Sequence, residues 1–348
     1  MFDISIKQNK KTECEKGFVL IAVLLIVSLL AAFIIEFNYQ SRIKIHLADN
    51  FNLSAQALHN ADAGIAIAMA ALRQNNDLLS NENTRPFFSG TLEIPIDDGS
   101  CTISVAEESG KININALCTR DGQVIKSRVE QLLRLIDLIN KQYEGGSPVS
   151  YSLVPAIIDW VDSDDNVTIL PFIQKQNSGA ENDYYQNLDE PYHCKNAPFE
   201  VLSELLLVKG MTNEIFYGRP GDKSAGIKSV PGINQYLTIY GDGKININEA
   251  SAMVIQSLSE NMSLALAQNI VEKRQFGRYS NIEQLKQVPG MTDEIYETIS
   301  PLITLETNEI YYVVTSTGIA GEFQRAVKVV LRKNPSTLKI DVLMRFET

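Results

Sequence analysis

The chain has 348 residues, 45% of them hydrophobic, and a formal net charge of −11. This leaves room for a membrane helix plus one large or two modest soluble domains with ordinary cores. The acidic balance speaks against general affinity for nucleic acid or anionic lipid, and makes cationic partners, metal ions included, the natural expectation.

A short charged leader (Lys7, Lys10, Lys11 and Lys16 among Asp3, Glu13 and Glu15) precedes an apolar run from Phe18 to Ile35, in which only Ser28 is polar. That run is close to the ~20 residues a membrane-spanning helix requires. An ordinary secretory signal is cut after its apolar region. Here the Gly17-Phe18 junction lies before it, so a cut would leave the apolar helix as the new N-terminus. An uncut signal-anchor explains the same residues equally well.

No proline interrupts Phe18 to Arg85, and Gly64 is the one glycine. Ile43, Leu47, Phe51, Leu58, Ala61, Ile65, Ala68 and Leu72 follow mostly three- and four-residue steps, with Arg42, Lys44, Asp49, Asn52, Gln56 and Asp62 between them. The pattern predicts one helix from Phe18 to Gln74, about 85 Å long at ~1.5 Å per residue. The polar stretch from Asn75 to Arg85 ends it. Two alternating stretches, Gly90–Ile96 and Ser100–Ala106, flank Asp97-Asp98-Gly99 like a hairpin. Far downstream, Ile310–Gly318 and Gln324–Arg332 form a second hairpin around Ala320-Gly321-Glu322, and Lys339–Phe346 adds a last strand. Sheet sequence therefore flanks a helix-rich middle at about 110–305.

The middle contains internal echoes. Gly110-Lys-Ile-Asn-Ile-Asn115 returns as Gly243-Lys-Ile-Asn-Ile-Asn248, and Gly210-Met-Thr-Asn-Glu-Ile215 as Gly290-Met-Thr-Asp-Glu-Ile295. In the first pair a short strand runs into an Asn able to cap the next helix. In the second, glycine ends one helix and Thr212 or Thr292 caps the next. The second echo resembles a helix-hairpin-helix, which holds DNA phosphates on backbone N–H groups. However, Thr212 and Thr292 stand where a second glycine is usual, and Glu214, Asp293 and Glu294 follow. These would repel phosphate, so a packing module is the expected role.

Asp159, Asp162, Asp164, Asp165 and Asn166 place four carboxylates and an amide within eight residues. Asp162-x-Asp164-x-Asn166 matches the opening of an EF-hand loop, but Val167 and Ile173 replace that loop's glycine and late glutamate. Calcium needs ~6–8 oxygens, and Glu181 and Asp183 could add to the set. Spacing alone leaves two readings, a solvated acidic loop and a calcium site. His46 and His59 lie on the long helix and His193 in a loop without a nucleophile beside it. No hydrolase, P-loop, Rossmann or zinc-protease pattern is present, so no enzymatic activity is expected. Cys101, Cys118 and Cys194 allow one disulfide and a spare thiol, or three reduced buried thiols.

Leader, long helix, split sheet and helical insertion together resemble the K-type minor pseudopilins of type II secretion systems (the GspK family). The resemblance runs from Lys16 to about Leu331. It is carried by Lys16-Gly17-Phe18, Asp159-Trp160-x-Asp162-x-Asp164-Asp165, Gly179-Ala-Glu-Asn-Asp-Tyr-Tyr185, Ser203–Thr212 and Ile245-Asn-Ile-Asn248. It implies an α+β fold, with a pilin-like N-terminal helix packed on an antiparallel sheet and a large, mainly α-helical insertion of helix-hairpin-helix or SAM-like units. The expected segments are a cleaved leader 1–17, a transmembrane part 18–36, a stem with the first strands 37–109, the insertion 110–305 and closing strands 306–348. It further implies cleavage after Gly17 and N-methylation of Phe18 by a prepilin peptidase. The inner-membrane helix would be single-pass, with the bulk of the chain periplasmic. Structural calcium would be held by ligands from Asp159, Asp162, Asp164, Asp165, Glu181 and Asp183.

Implied partners are the I- and J-type minor pseudopilins, the major pseudopilin and the inner-membrane assembly platform. Most pseudopilins carry Glu as the fifth residue after the cut, thought to neutralise a neighbour's N-terminal amine. Ala22 stands there, which favours a place at the filament tip. The competing expectations are a membrane-anchored DNA-uptake protein built on the hairpin units, and a minor pilin of a type IV pilus.

Overall fold

A computed structural model describes residues 10–74, 90–96, 99–143, 148–175, 177–221 and 228–347. Helix α1 (Lys10–Gln74) runs unbroken for 65 residues. It starts ahead of the expected Phe18, because a single glycine at position 17 costs a helix only about 1 kcal/mol. The leader before Lys10, the polar stretch after Gln74 and the Asp97-Asp98 turn lie outside the described residues. From Phe18 to Asn52 nearly every side chain of α1 is exposed, including Phe18, Ile21, Leu47 and Phe51. Burial begins at Leu53 and deepens through Ala57, Ala61, Ile65, Ala68 and Leu72. The apolar stripe read from the sequence is thus buried only in its second half.

That half packs on a five-stranded antiparallel sheet. In spatial order its strands are β1 (Leu92–Ile96), β2 (Gly99–Glu107), β3 (Ile310–Ala320), β4 (Phe323–Lys333) and β5 (Ile340–Glu347). Alternation places Cys101, Ile103, Val105, Tyr312, Val314, Val327 and Val329 against the helix, where they form a core with Ala61, Ile65, Ala68 and Leu72. Helix and sheet approach closely through small residues. A Cβ on Gly318 would lie 2.0 Å from the Ala57 carbonyl oxygen, and Asn60 Nδ2 donates to Ile319 O at 2.9 Å.

The chain leaves this sheet after β2 and returns at β3, and the two strands are neighbours: Glu107 pairs with Tyr312. The described residues between them build a second core, running from Ile112 to Ile303. Its elements are short. The helices are α2 (Lys126–Asn140), α3 (Leu153–Val161), α4 (Asn182–Gln186), α5 (Asn213–Tyr217), α6 (Ala252–Ser257), α7 (Leu264–Phe276) and α8 (Asp293–Ile299), with 3₁₀ turns among them.

The sequence echoes are structural equivalents. Ile112–Asn113 pairs in parallel with Leu237–Thr238, and Ile245–Asn246 with Ile303–Thr304. The Asn113 side chain accepts from Asn115 N as Asn246 accepts from Asn248 N, at 2.9 and 3.0 Å. Asn115 then clamps the backbone of Phe199, and Asn248 that of Tyr279, each by a reciprocal pair of hydrogen bonds. Each clamp is followed by a 3₁₀ turn, Leu202–Leu207 or Ile282–Gln287, and then a glycine with positive φ, Gly210 (86°) or Gly290 (92°). Thr212 or Thr292 next caps a helix through its hydroxyl. The copies differ in reach. Asn115 and Phe199 are 84 residues apart, Asn248 and Tyr279 only 31. The acidic segment belongs to the longer excursion.

Candidate metal centre

The excursion folds so that three segments meet below the buried end of α3. Asp159 and Asp162 lie at its C-terminal end, where helix geometry puts residues three apart on one face. Asp164 follows in the loop after it, and Glu181 directly precedes α4. One carboxylate oxygen from each of Asp162, Asp164 and Glu181 lies within 4.8 Å of the others. Asp162 and Glu181 are buried, with 1% and 3% of their surface exposed, and Asp159 is buried completely.

These carboxylates are under-satisfied. Asp159 accepts from Thr168 N at 2.9 Å with one oxygen, while its other oxygen, Asp162 Oδ1 and both oxygens of Glu181 are buried without a hydrogen-bond partner. Among the described residues no Lys or Arg forms an ion pair with any of them. Burial first, and the neighbouring Asp164 and Asp159 second, push the Asp162 carboxyl up to about 6. Burial, then Asp159 and Asp162, push Glu181 up to about 8. Burial likewise raises Asp159. Uncompensated buried carboxylates cost several kcal/mol each unless a cation or protons neutralise them. Oxygen-only donors with charge to spare suit a hard cation such as calcium.

Of the six residues expected as ligands, the structure brings Asp162, Asp164 and Glu181 together, with Asp159 buried beside them. Asp165 and Asp183 fall outside the converging group. Asp165 is exposed and accepts from Asn196 Nδ2 at 3.2 Å, while the exposed Asp183 sits in the first turn of α4. Their spacing looked favourable, but helix and loop geometry carry them to the outer surface.

Other residues close the site without having been legible as part of it. A Cβ on Gly179 would lie 2.1 Å from Asp159 Oδ2, and one on Gly122 would lie 3.2 Å from Oδ2 of both Asp162 and Asp164. Ser163 N and Oγ both donate to Arg120 O, tying that loop to the acidic one. The chain's single tryptophan, Trp160, packs edge-on to Tyr185 at 5.3 Å and stacks on Phe199 at 6.3 Å. Cys118 and Cys194 flank the cluster as free buried thiols, both pushed up to about 12 chiefly by burial, and Cys101 is free in the other core.

Taken with the fold, this defines a pilin-like protein whose N-terminal helix is long and apolar enough to cross a membrane, with a duplicated helical insertion carrying an acidic centre. Residues 110–217 match the family described as type II secretion system (T2SS), protein K, and residues 242–304 match the helix-hairpin-helix motif. The type II secretion system protein K of Aeromonas hydrophila is 28% identical over 212 residues, covering 58% of this chain and 61% of that protein. That of Klebsiella pneumoniae is 20% identical over 344 residues, covering 94% and 95%. The chain thus spans about 60% of the length of the Aeromonas relative and of another from Escherichia coli K12, and nearly all of the Klebsiella one. Among solved structures, it is similar to a chain of the GspK-GspI-GspJ complex from the type 2 secretion system of enterotoxigenic Escherichia coli. The TM-score is 0.59 at 17% identity, covering 88% of this chain and 99% of that one. Family model, relatives and structural neighbour together support a K-type pseudopilin of a type II secretion system.

Proposed function

We propose that this chain is the minor pseudopilin at the tip of a periplasmic pseudopilus. It would be anchored in the inner membrane before assembly, associate with I- and J-type minor pseudopilins, and support export of folded proteins across the outer membrane. The observation that carries the reading is the bare stem. About 20 residues from Phe18 suffice to cross a bilayer. Yet α1 stays exposed to Asn52, with Tyr39, Ile43, Leu47 and Phe51 at four-residue steps and each at least 49% exposed. An apolar ridge beyond the membrane is what neighbouring helices in a filament would cover. Ala22 offers no carboxylate to a subunit above, and the insertion adds bulk at the head, both of which suit the terminal position.

Calcium would be held by Asp162, Asp164 and Glu181, with Asp159 beside them. It would supply the charge these buried carboxylates lack, joining α3, its following loop and the start of α4 into one fold unit. The helix-hairpin-helix match makes DNA binding a second reading, but Asp293 and Glu294 occupy the first turn of α8, where a phosphate would have to sit. The function is structural, with no catalytic step. Mass spectrometry of the mature chain from membranes tests the assignment. A methylated Phe18 at the N-terminus is the expected result, and an intact leader through Gly17 in assembled protein would overturn it.

A further inference from the structure

The two segments that carry the metal-centre carboxylates touch each other where Gly179 N donates to Thr168 O at 3.1 Å. A third segment, residues 193–197, crosses over both. Its Cys194 N donates to Asn182 Oδ1 at 3.3 Å, next to Glu181, and the Cys194 thiol donates to Asp159 O at 3.5 Å. Ala197 N donates to Trp160 O at 3.2 Å. Between these contacts, Asn196 reaches the loop itself: its Nδ2 donates to Asp164 O at 3.0 Å and to Asp165 Oδ1 at 3.2 Å. The strap continues to Phe199, whose backbone Asn115 clamps. The acidic loop is therefore anchored to the repeat framework through four residues of chain.

Asn196 has a backbone conformation few side chains tolerate. Its φ is +47°, in the left-handed region, where Asn is favoured over other non-glycine residues. The carboxamide oxygen is buried without a partner. The left-handed turn and the two donated bonds fix the peptide of Asp164 and the carboxylate of Asp165, while Asp164 Oδ1 accepts from Asn166 N and Nδ2 at 2.7 and 2.8 Å and the Asp164 carboxylate faces Asp162 and Glu181. Asp165 is by the same contacts held away from the group.

We propose that Asn196 is a positioning residue for the cation centre, orienting Asp164 as a ligand without binding the ion itself. This rests on the calcium reading above. A group that orients a ligand by hydrogen bonding typically changes metal affinity by ~10–100-fold when removed.

The test uses the full-length chain in detergent, with fluorescence of Trp160 as the calcium readout and thermal melting in chelator as the readout of fold. Asn196→Gly keeps the left-handed backbone free of strain and removes only the carboxamide. It is expected to weaken calcium about 10-fold or more through faster dissociation, with the melting point in chelator nearly unchanged. Asn196→Asp, which keeps the turn but sets a carboxylate against Asp164 O and Asp165, is expected to weaken calcium at least as much. Wild-type affinity in Asn196→Gly would overturn the proposal, as would an affinity loss matched by an equal loss of stability in chelator. A wild-type chain that shows no calcium response at all would instead bring down the calcium reading on which the proposal stands.

Discussion

Glu181 and Asp162 make the sharpest energetic statement in the molecule, because each is buried with oxygens that nothing satisfies. Their raised folded values fix the sign of a pH dependence. A carboxyl raised from the ordinary ~4 to about 6 or about 8 contributes stability that is fully present below pH ~4 and lost as pH rises through those values. In chelator, the melting temperature of the insertion should therefore fall as pH is taken from 5 to 8, by ~5 °C or more. Calcium should abolish that fall, since it binds the ionised carboxylates and competes with protons. Melting curves with calcium and with chelator across this range check it. A midpoint indifferent to calcium at pH 8 would remove the cation from the account. Glu181→Gln should blunt both the fall in chelator and the response to calcium.

At the scale of elements, the joint between α1 and the sheet depends on missing side chains. Gly318 sits where a Cβ would meet Ala57 O at 2.0 Å and Ala61 N at 2.4 Å, both backbone atoms of a helix that cannot give way locally. Gly318→Val should destabilise by ~3 kcal/mol or more, whereas Gly277→Ala, with open space around it, should stay within ~1 kcal/mol. Chemical denaturation of the two variants decides this. The long helix, both hairpins and the last strand were legible because period and turn residues speak locally: Ala320-Gly321-Glu322 marks a hairpin with no knowledge of the rest. Thr212 and Thr292 were legible as caps. Asn115 and Asn248 were expected to cap as well, but Asn113 and Ser251 do the capping. That the two Asn residues instead clamp Phe199 and Tyr279 was not legible, since those contacts span 84 and 31 residues. The acidic cluster was half legible. Asp162, Asp164 and Glu181 could be named, but Asp183 and Asp165 have the same chemistry and similar spacing, and only the path of the chain turns them outward. Asn196, Gly122 and Gly179 carry no motif at all; their roles come from three-dimensional proximity.

The whole molecule is an exposed apolar rod, a small sheet that grips its second half, and a large duplicated insertion emerging between two adjacent strands. Entry and exit side by side at Glu107 and Tyr312 let the sheet close as though the insertion were absent. Packing of the Tyr240 ring on Tyr311 at 4.9 Å sets the insertion against the start of the central strand β3. On the proposed reading, the rod would serve assembly, the head would add bulk, and a cation would hold the head's longer excursion together. Membership of a pseudopilin tip is decided by co-expressing the full-length chain with the I- and J-type pseudopilins of its own system and sizing the detergent-solubilised material. A stoichiometric ternary complex, lost when Ile43, Leu47 and Phe51 are together replaced by Ser, is the predicted result. A chain that stays apart while the other two associate would contradict it.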